Sequence, residues 1–206
     1  MNNERLAYFI NSFGSMNDYA ATLSETKLAL DSESANSLKS QNDQGLFLDA
    51  LAGIDAAKQK GFSVDAIVAV NESFTHNPEE DPGWPGHLRN GYYNEEDRIS
   101  ILTGYSFDQD RRKVEETYFP PAIVTREMVQ KTVDQYNNSP QEQLDAWRVF
   151  AQLAKMQAFQ DGNKRTALIA ANAAAATFES QNYLALPLNY LDNALFTIRL
   201  PRKLKS

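Results

Sequence analysis

Residues 156–167 read Met-Gln-Ala-Phe-Gln-Asp-Gly-Asn-Lys-Arg-Thr-Ala, and this stretch carries most of what the sequence predicts. It places an acid, a glycine, an amide and two cations at consecutive positions, 161–165. A long amphipathic segment precedes this loop, and a segment rich in alanine follows it. Polar, glycine-containing loops that open a helix are typical of phosphate-binding sites.

The loop has the parts of a nucleotide-binding site. The following helix N-terminus offers unpaired N–H groups and about half a positive charge, which attract anions. Gly162 removes a Cβ that would keep phosphate away, while Lys164 and Arg165 add positive charge. Asp161 is a nearby hard-oxygen ligand for Mg²⁺, which usually binds one or two carboxylates together with phosphates. The residues alone also allow a simple αα-corner, in which Asp161 and Asn163 cap the helix and both cations are solvated.

The segments around the loop predict helices. Ser139 begins a capping box with proline at the first helical position, and the helix it opens is expected to continue to Phe159. A buried central helix is expected over residues 163–178 because the segment has little polar surface. Helical spacing over residues 4–60 and a cap at Thr125 predict further helices. The chain is therefore expected to be mainly α.

Residues 98–119 contain the one clear extended pattern. The first strand is predicted to contain Ile99, Ser100, Ile101 and Leu102. A turn is expected at residues 104–110 and a second strand at residues 113–119, where two prolines end it. The pattern predicts a β-hairpin, but by itself it does not distinguish a functional hairpin from an ordinary surface one.

Composition excludes several classes of function. The 206 residues carry a net charge of −7, which argues against nucleic-acid binding. Because the chain has no cysteine, disulfides, thiolate nucleophiles and Cys-ligated metals are excluded. Its two histidines, His76 and His87, lie in no catalytic or metal-binding motif. No apolar run is long enough to span a membrane and no signal-peptide pattern is present, so a cytoplasmic protein without membrane partners is expected.

The loop and its surroundings resemble the Fic/Doc (Fido) family. The family motif is His-x-Phe-x-Asp/Glu-Gly-Asn-Gly/Lys-Arg-x-x-Arg, and Phe159 and residues 161–165 match it. Residues 85–89, Pro-Gly-His-Leu-Arg, are similar to the family's Pro-Gly-x-x-Arg segment. Residues 99–121 look like its flap hairpin.

The resemblance implies a Fic-fold helical bundle with a small β-hairpin flap. It implies an N-terminal helical region at residues 1–60, a Fido domain at residues 61–190 and a C-terminal tail at residues 191–206. The flap would hold an extended segment of a target protein by strand addition, which needs an accessible strand edge. The target-binding flap residues would be Ile99, Ser100, Ile101, Leu102 and Tyr118.

The resemblance also implies ATP and Mg²⁺ as ligands of the loop. Asp161 would hold Mg²⁺, and the backbone amides of Gly162, Asn163 and Lys164 would bind phosphate. Arg165 would clamp a phosphate group. The implied activity is nucleotidyl transfer (AMPylation), in which AMP passes from ATP to a hydroxyl group of the target protein.

Two positions depart from the motif. Leu168 replaces its second arginine, and Gln157 replaces its catalytic histidine. Glutamine can orient a hydroxyl group but has no titratable group near neutral pH. General-base assistance is typically worth about 10²–10⁴ in rate, so catalysis is expected to be weak or lost. Rescue by His87 would need that residue to move into the site.

Inhibition in this family commonly comes from a helix with a glutamate that pairs with a loop arginine. Residues 22–26, Thr-Leu-Ser-Glu-Thr, resemble the segment that follows this glutamate, which places its position near Asn17. We hypothesise that catalytic base and inhibitory glutamate were lost together. The alternatives are a slow enzyme or a Doc-like kinase controlled by a separate antitoxin-like partner, a non-catalytic pseudoenzyme that binds partners, and an introduced replacement of a native histidine by glutamine.

Overall fold

Eight α-helices, three short 3₁₀-helices and one β-hairpin are the regular elements in the described part of the chain. The computed structural model describes residues 3–77, 84–107, 109 and 111–188. The helices are α1 (Asn3–Gly14), α2 (Leu23–Asp31), α3 (Gln41–Lys60), α4 (Val64–Glu72), α5 (Arg126–Asn137), α6 (Gln143–Met156), α7 (Asn163–Ala174) and α8 (Thr177–Ser180). The strands are β1 (Ile101–Phe107) and β2 (Lys113–Tyr118). The mainly α class predicted from the sequence is confirmed.

Polar side chains cap the N-termini of several helices. The Ser63 hydroxyl accepts a hydrogen bond from the backbone N–H of Ala66 at 3.1 Å. At the start of α2, the Glu25 N–H donates to the Thr22 hydroxyl at 3.2 Å and the Thr22 N–H donates to the Glu25 carboxylate at 2.9 Å. These reciprocal bonds satisfy N–H groups that have no partner within the helix.

Helix α7 lies at the centre of the bundle, where it packs against α1, α3, α4 and α6. The residues that it buries almost completely include Ala167, Leu168, Ile169, Ala170 and Ala171. Small side chains allow neighbouring helices to approach closely, so an alanine-rich helix suits a position with neighbours on several sides. This confirms the predicted buried central helix.

The bounds of the two helices beside the loop differ from the prediction. Helix α6 begins after Glu142, whose N–H donates to the Asp145 carboxylate at 3.1 Å. Gln141 has a φ of 59°, which keeps the predicted capping box at Ser139 out of the helix. A left-handed residue, Gln157, ends α6 before Phe159, and left-handed Ala176 separates α7 from α8. Left-handed residues interrupt helices, and sequence patterns rarely predict them where they are not glycine.

The predicted hairpin is confirmed, with a shorter turn and a later start. Strand β1 pairs antiparallel with β2, so that Ile101 lies opposite Tyr118 and Leu102 lies opposite Thr117. The predicted strand residues Ile99 and Ser100 precede β1. Gly104, predicted in the turn, lies within β1 beside an irregularity in the register. Thr103 is the residue without a partner there, and Gly104 pairs with Glu116, so this glycine lies beside a bulge within the strand and not in a turn.

One hydrophobic core joins the regions that the domain prediction separates at residue 60. Phe13 of α1 and Phe47 of α3 belong to the same buried cluster as Phe150 of α6 and Ile169 of α7. The division itself remains a prediction, and the predicted tail at 191–206 lies outside the described residues. Among the described helices, none has the length and apolar character needed to cross a membrane.

Candidate functional site

The loop between α6 and α7 is held in shape by its own polar side chains. Asn163, the first residue of α7, accepts a hydrogen bond from the Phe159 N–H at 2.8 Å and donates one to the Phe159 carbonyl at 2.8 Å. The first helical bond of α7 runs from the Thr166 N–H to the Gly162 carbonyl at 2.8 Å. The earlier amides of α7 therefore have no acceptor four residues before them in the helix.

Gly162 is required by the core beneath the loop. Its φ of 71° lies in the left-handed region that disfavours other residues. A Cβ at this position would lie 2.8 Å from Cδ2 of Phe74 and 3.0 Å from Nδ2 of Asn71. From the sequence, we expect a glycine here so that a phosphate group can approach the backbone. In the structure, the atoms that leave no room for a Cβ belong to Asn71 of α4 and to Phe74, which follows it.

Asn71 is a residue that the sequence analysis missed. Its Nδ2 donates to the carbonyl oxygen of Asp161 at 2.9 Å, and its Oδ1 accepts from the N–H of Gly86 at 2.9 Å. The side chain is buried and joins α4 to both the loop and the segment before the hairpin. Nothing in the local sequence marked this asparagine, because its partners lie 15 and 90 residues away.

A cavity of about 500 Å³, measured with its open mouth, lies over the loop. It is lined by Met16, Asn17, Gln157, Gln160, Asp161, Gly162, Asn163 and Lys164. Five of the six predicted loop residues thus line one cavity, and Arg165 does not. The segment at Met16 and Asn17, which follows α1, forms part of the wall.

Of the residues that the structure describes, Asp161 and Lys164 are the ionisable ones that line this cavity. Burial lowers the pKa of Lys164, the positive charge of Arg165 lowers it further, and Asp161 acts in the opposite direction. No described residue hydrogen-bonds to the Lys164 ammonium group, and such a cation favours an anionic ligand. Among the described residues no cluster of three or more His, Cys, Asp or Glu side chains could hold a metal without help from a ligand.

Arg165 points into the core and away from this cavity. Its side chain is 1% exposed, and its Nη1 lies 3.9 Å from Oδ2 of the equally buried Asp49. The guanidinium group also lies over the rings of Phe74 and Phe13, at 4.9 and 5.6 Å from their centroids. Direct contact with a phosphate group would require this side chain to rearrange, so its predicted role as a clamp remains a prediction.

The side-chain amide of Gln157 caps the C-terminal end of α6. Its backbone is left-handed, with a φ of 50°, and its Nε2 donates to the Ala154 carbonyl at 2.6 Å. Its own carbonyl oxygen accepts from Nε of Arg89 at 2.5 Å. The Oε1 atom remains as an acceptor on a half-buried side chain in the cavity wall.

Arg89 connects the loop to the base of the hairpin. Besides the bond to Gln157, its Nη1 donates to the Asp97 carbonyl at 2.5 Å and its Nη2 donates to the Pro121 carbonyl at 3.0 Å. The side chain is 1% exposed, and burial lowers its pKa. In the sequence this arginine stood out only as part of a family segment, because its three carbonyl partners lie 8, 32 and 68 residues away.

His87, the alternative base considered from the sequence, does not line the cavity. Its ring stacks on Trp84 with centroids 3.8 Å apart and an interplanar angle of 10°. Its Nε2 lies 3.1 Å from Oδ2 of the buried Asp97. These two contacts hold the ring outside the loop, and Asp97 in turn accepts a hydrogen bond from Gln160 in the cavity wall.

The hairpin is anchored at its base and open along its length. The Tyr118 hydroxyl donates to the Lys155 carbonyl near the end of α6 at 3.1 Å. Leu102, Tyr105 and Val114 are between 42% and 49% exposed. The described sheet has two strands, so each strand has one edge without a partner strand. Of the predicted target-binding residues, Ile101, Leu102 and Tyr118 lie in the strands, and Ile99 and Ser100 lie just before them.

Comparison with known proteins agrees with this architecture. The family model for the Fic/DOC family matches residues 62–175, and the chain belongs to that family. In structure, the chain is similar to a fragment of Fic-1 from C. elegans, with a TM-score of 0.61 and 18% identity over 91% of this chain and 52% of that chain. A point variant of the same fragment is similar with a TM-score of 0.57 and 18% identity, over 95% of this chain and 55% of that chain.

The chain therefore spans about half the length of the solved chains that it matches. No curated protein sequence matches it significantly. The predicted helical bundle with a hairpin flap is confirmed by the fold and by these structures.

Proposed function

We propose that this protein binds Mg·ATP in the cavity at the N-terminus of α7 and engages a target protein through the β1–β2 hairpin. AMP transfer to a target hydroxyl is weak or lost because Gln157 occupies the position of the base. The observation that carries the proposal is that Gln157, Asp161, Gly162, Asn163 and Lys164 line one cavity.

The cavity suits a polyphosphate with a metal ion. The amides at the start of α7 and the Lys164 ammonium group supply the positive potential that phosphate requires. Asp161 is the one carboxylate among the described residues of the lining, and Mg²⁺ commonly binds one or two carboxylates and completes its shell with phosphate oxygens and water. Asp161 would hold the metal, which would neutralise charge on the phosphates.

The missing component is a proton acceptor. In AMP transfer, the target oxygen forms a bond to the α-phosphorus, the bond to the β-phosphate oxygen breaks, and pyrophosphate leaves while the hydroxyl proton needs a base. Gln157 Oε1 can accept a hydrogen bond from that hydroxyl, but an amide does not take its proton near neutral pH. Positioning and electrostatic stabilisation would remain, which supports slow transfer or binding alone.

The second candidate is a non-catalytic module, and the position of Asn17 favours it. Met16 and Asn17 line the cavity, where the sequence resemblance places an inhibitory glutamate. Asn17 has no charge with which to pair an arginine, so both the base and the inhibitory acid are replaced by neutral amides. A Doc-like kinase activity controlled by an antitoxin-like partner remains an alternative proposal. A cytoplasmic location is also proposed, and each of the two needs its own test.

A thermal-shift titration with Mg·ATP tests binding separately from chemistry. We expect the wild type to be stabilised by millimolar Mg·ATP and Lys164→Met to bind about 10- to 100-fold more weakly, because a charged hydrogen bond is worth about 1.5–3 kcal/mol. Lys58→Met is the matched control, since Lys58 is exposed at the end of α3. A wild type that shows no shift, or equal losses in both variants, would contradict the proposed site.

A further inference from the structure

Gln160 lies in the cavity wall, and a residue outside the α6–α7 loop fixes the orientation of its side-chain amide. Its Nε2 donates to Oδ1 of Asp97 at 2.8 Å. No described residue donates to its Oε1, and the side chain is half-buried where it lines the cavity. One end of the amide is therefore occupied, and the acceptor end is available to a ligand.

Asp97 is held so firmly that it determines this orientation. Its side chain is 0% exposed. Its Oδ2 accepts from the N–H of Asn90 at 2.6 Å and from Nε2 of His87 at 3.1 Å, while Oδ1 accepts from Gln160 and, at 3.4 Å, from Nδ2 of Asn94. An ionised carboxylate only accepts hydrogen bonds, so the amide of Gln160 must turn its NH₂ group towards it.

The ionised state of Asp97 has support beyond geometry. Burial by itself raises the pKa of this carboxyl group. The hydrogen bonds from the Asn90 N–H, Gln160 and His87 outweigh that effect and lower the pKa below its usual value. Asp97 is therefore a carboxylate at neutral pH.

We propose that Asp97 is a positioning residue that fixes Gln160 with its amide oxygen towards the cavity, so that Gln160 selects a nucleotide presenting a hydroxyl or amino donor there. This inference rests on the proposed function, because it assumes that a nucleotide occupies the cavity. It assigns Gln160 a role in ligand choice that is separate from phosphate and metal binding.

Replacement of Asp97 by asparagine distinguishes positioning from a merely structural role. In Asp97→Asn, the remaining oxygen can stay with the Asn90 N–H and His87, while the new NH₂ group faces Gln160. Two NH₂ groups repel, so the Gln160 amide must turn over and present a donor to the cavity. A purely structural role would change stability but would leave the ligand preference as it was.

The test compares Mg·ATP with three analogues that each lack one donor: the complexes of 2′-deoxy-ATP, 3′-deoxy-ATP and inosine triphosphate. Affinities are measured by calorimetry for the wild type, Gln160→Ala, Asp97→Asn and the control Gln152→Ala, since Gln152 is an exposed glutamine that bonds Gln135 and lies outside the cavity lining. We expect one analogue to bind the wild type and the control about 5- to 10-fold more weakly than ATP, as the loss of one hydrogen bond predicts. Gln160→Ala should not distinguish that analogue from ATP. Asp97→Asn should lose the preference if the analogue lacks the amino group and should keep part of it if the analogue lacks a hydroxyl, because a hydroxyl can also accept from the turned amide.

The outcomes separate this inference from the proposed function. If the wild type binds ATP but no analogue loses affinity in a way that depends on Gln160, the inference is wrong and the nucleotide site stands. If the wild type does not bind ATP, the proposed function is wrong and the ligand selection falls with it. Gln160→Ala decides the question even if Asp97→Asn fails to fold, because the Gln160 side chain makes one hydrogen bond to the described residues.

Discussion

The Nε atom of Arg89 donates a hydrogen bond to the backbone carbonyl oxygen of Gln157 at 2.5 Å. This bond ties Gln157, which ends α6 at the cavity, to an arginine 68 positions earlier in the chain. The same guanidinium group reaches Asp97 and Pro121, so one buried side chain aligns the loop with both ends of the hairpin segment.

Arg89→Lys should destabilise the protein by about 2–4 kcal/mol, because an ammonium group cannot reach three carbonyls in a planar fork. The measurement is denaturant unfolding. Arg126→Lys is the matched control, since Arg126 forms an exposed ion pair with Asp65, and it should change stability by less than about 1 kcal/mol. Similar losses in both variants would contradict the role given to Arg89.

Gly162→Ala should lower the free energy of unfolding by about 2 kcal/mol or more. The left-handed backbone alone costs about 1–2 kcal/mol for a residue with a Cβ, and the contact with Phe74 adds to it. Gly104→Ala provides the control, because a Cβ there meets only a carboxylate oxygen of Glu116, at 3.9 Å. Urea midpoints that fall equally in the two variants would show that the loop tolerates a Cβ.

The stability that Asp97 contributes should depend on pH. Its folded pKa is lowered, so its contribution is present above the unfolded pKa of about 4 and is lost as the pH falls through the lower folded value. The difference in unfolding free energy between wild type and Asp97→Asn should be constant from about pH 5 to 7 and shrink below about pH 4. Repeating the pair in a His87→Gln background separates the carboxylate from its imidazole neighbour. A difference in unfolding free energy that grows in acid would mean that folding raises the pKa of Asp97, which would contradict the prediction.

Tyr118→Phe should loosen the hairpin with little global effect. Loss of the hydroxyl bond to the Lys155 carbonyl should cost about 1 kcal/mol at most and raise amide hydrogen exchange in residues 101–118. Tyr105→Phe lies in the same hairpin, and its hydroxyl has no hydrogen bond to a described residue. If both substitutions leave exchange unchanged, the anchor at α6 is unimportant.

Gln157→His should restore label transfer from ATP to a target hydroxyl, by about 10²–10⁴ over the wild type, if a base is all that is missing. Histidine tolerates the left-handed backbone at this position better than most residues do. The assay incubates both proteins with labelled ATP and cell lysate, and Gln160→His serves as a control for a histidine elsewhere in the wall. Transfer by the wild type at the rate of the histidine variant would contradict the interpretation as a weakened enzyme.

Local signals predicted much of the fold because they act over a few residues. The cap at Thr125, the alanine-rich helix after Asn163 and the strand pattern before Pro120 all depend on neighbours in sequence. The ends of α6 were predicted less well. Gln141 and Gln157 have left-handed backbones, which tertiary contacts set against the intrinsic conformational preference of glutamine.

The sequence by itself determined the loop, its charges and the absence of a histidine within it, because these are properties of adjacent residues. Tertiary structure alone decided that Lys164 faces the cavity while its neighbour Arg165 turns into the core beside Asp49. It also decided that Asn17, Asn71 and Asp97 belong to the site or support it. The physical reason is that side-chain direction and long-range hydrogen bonds depend on how helices pack, which no local pattern records.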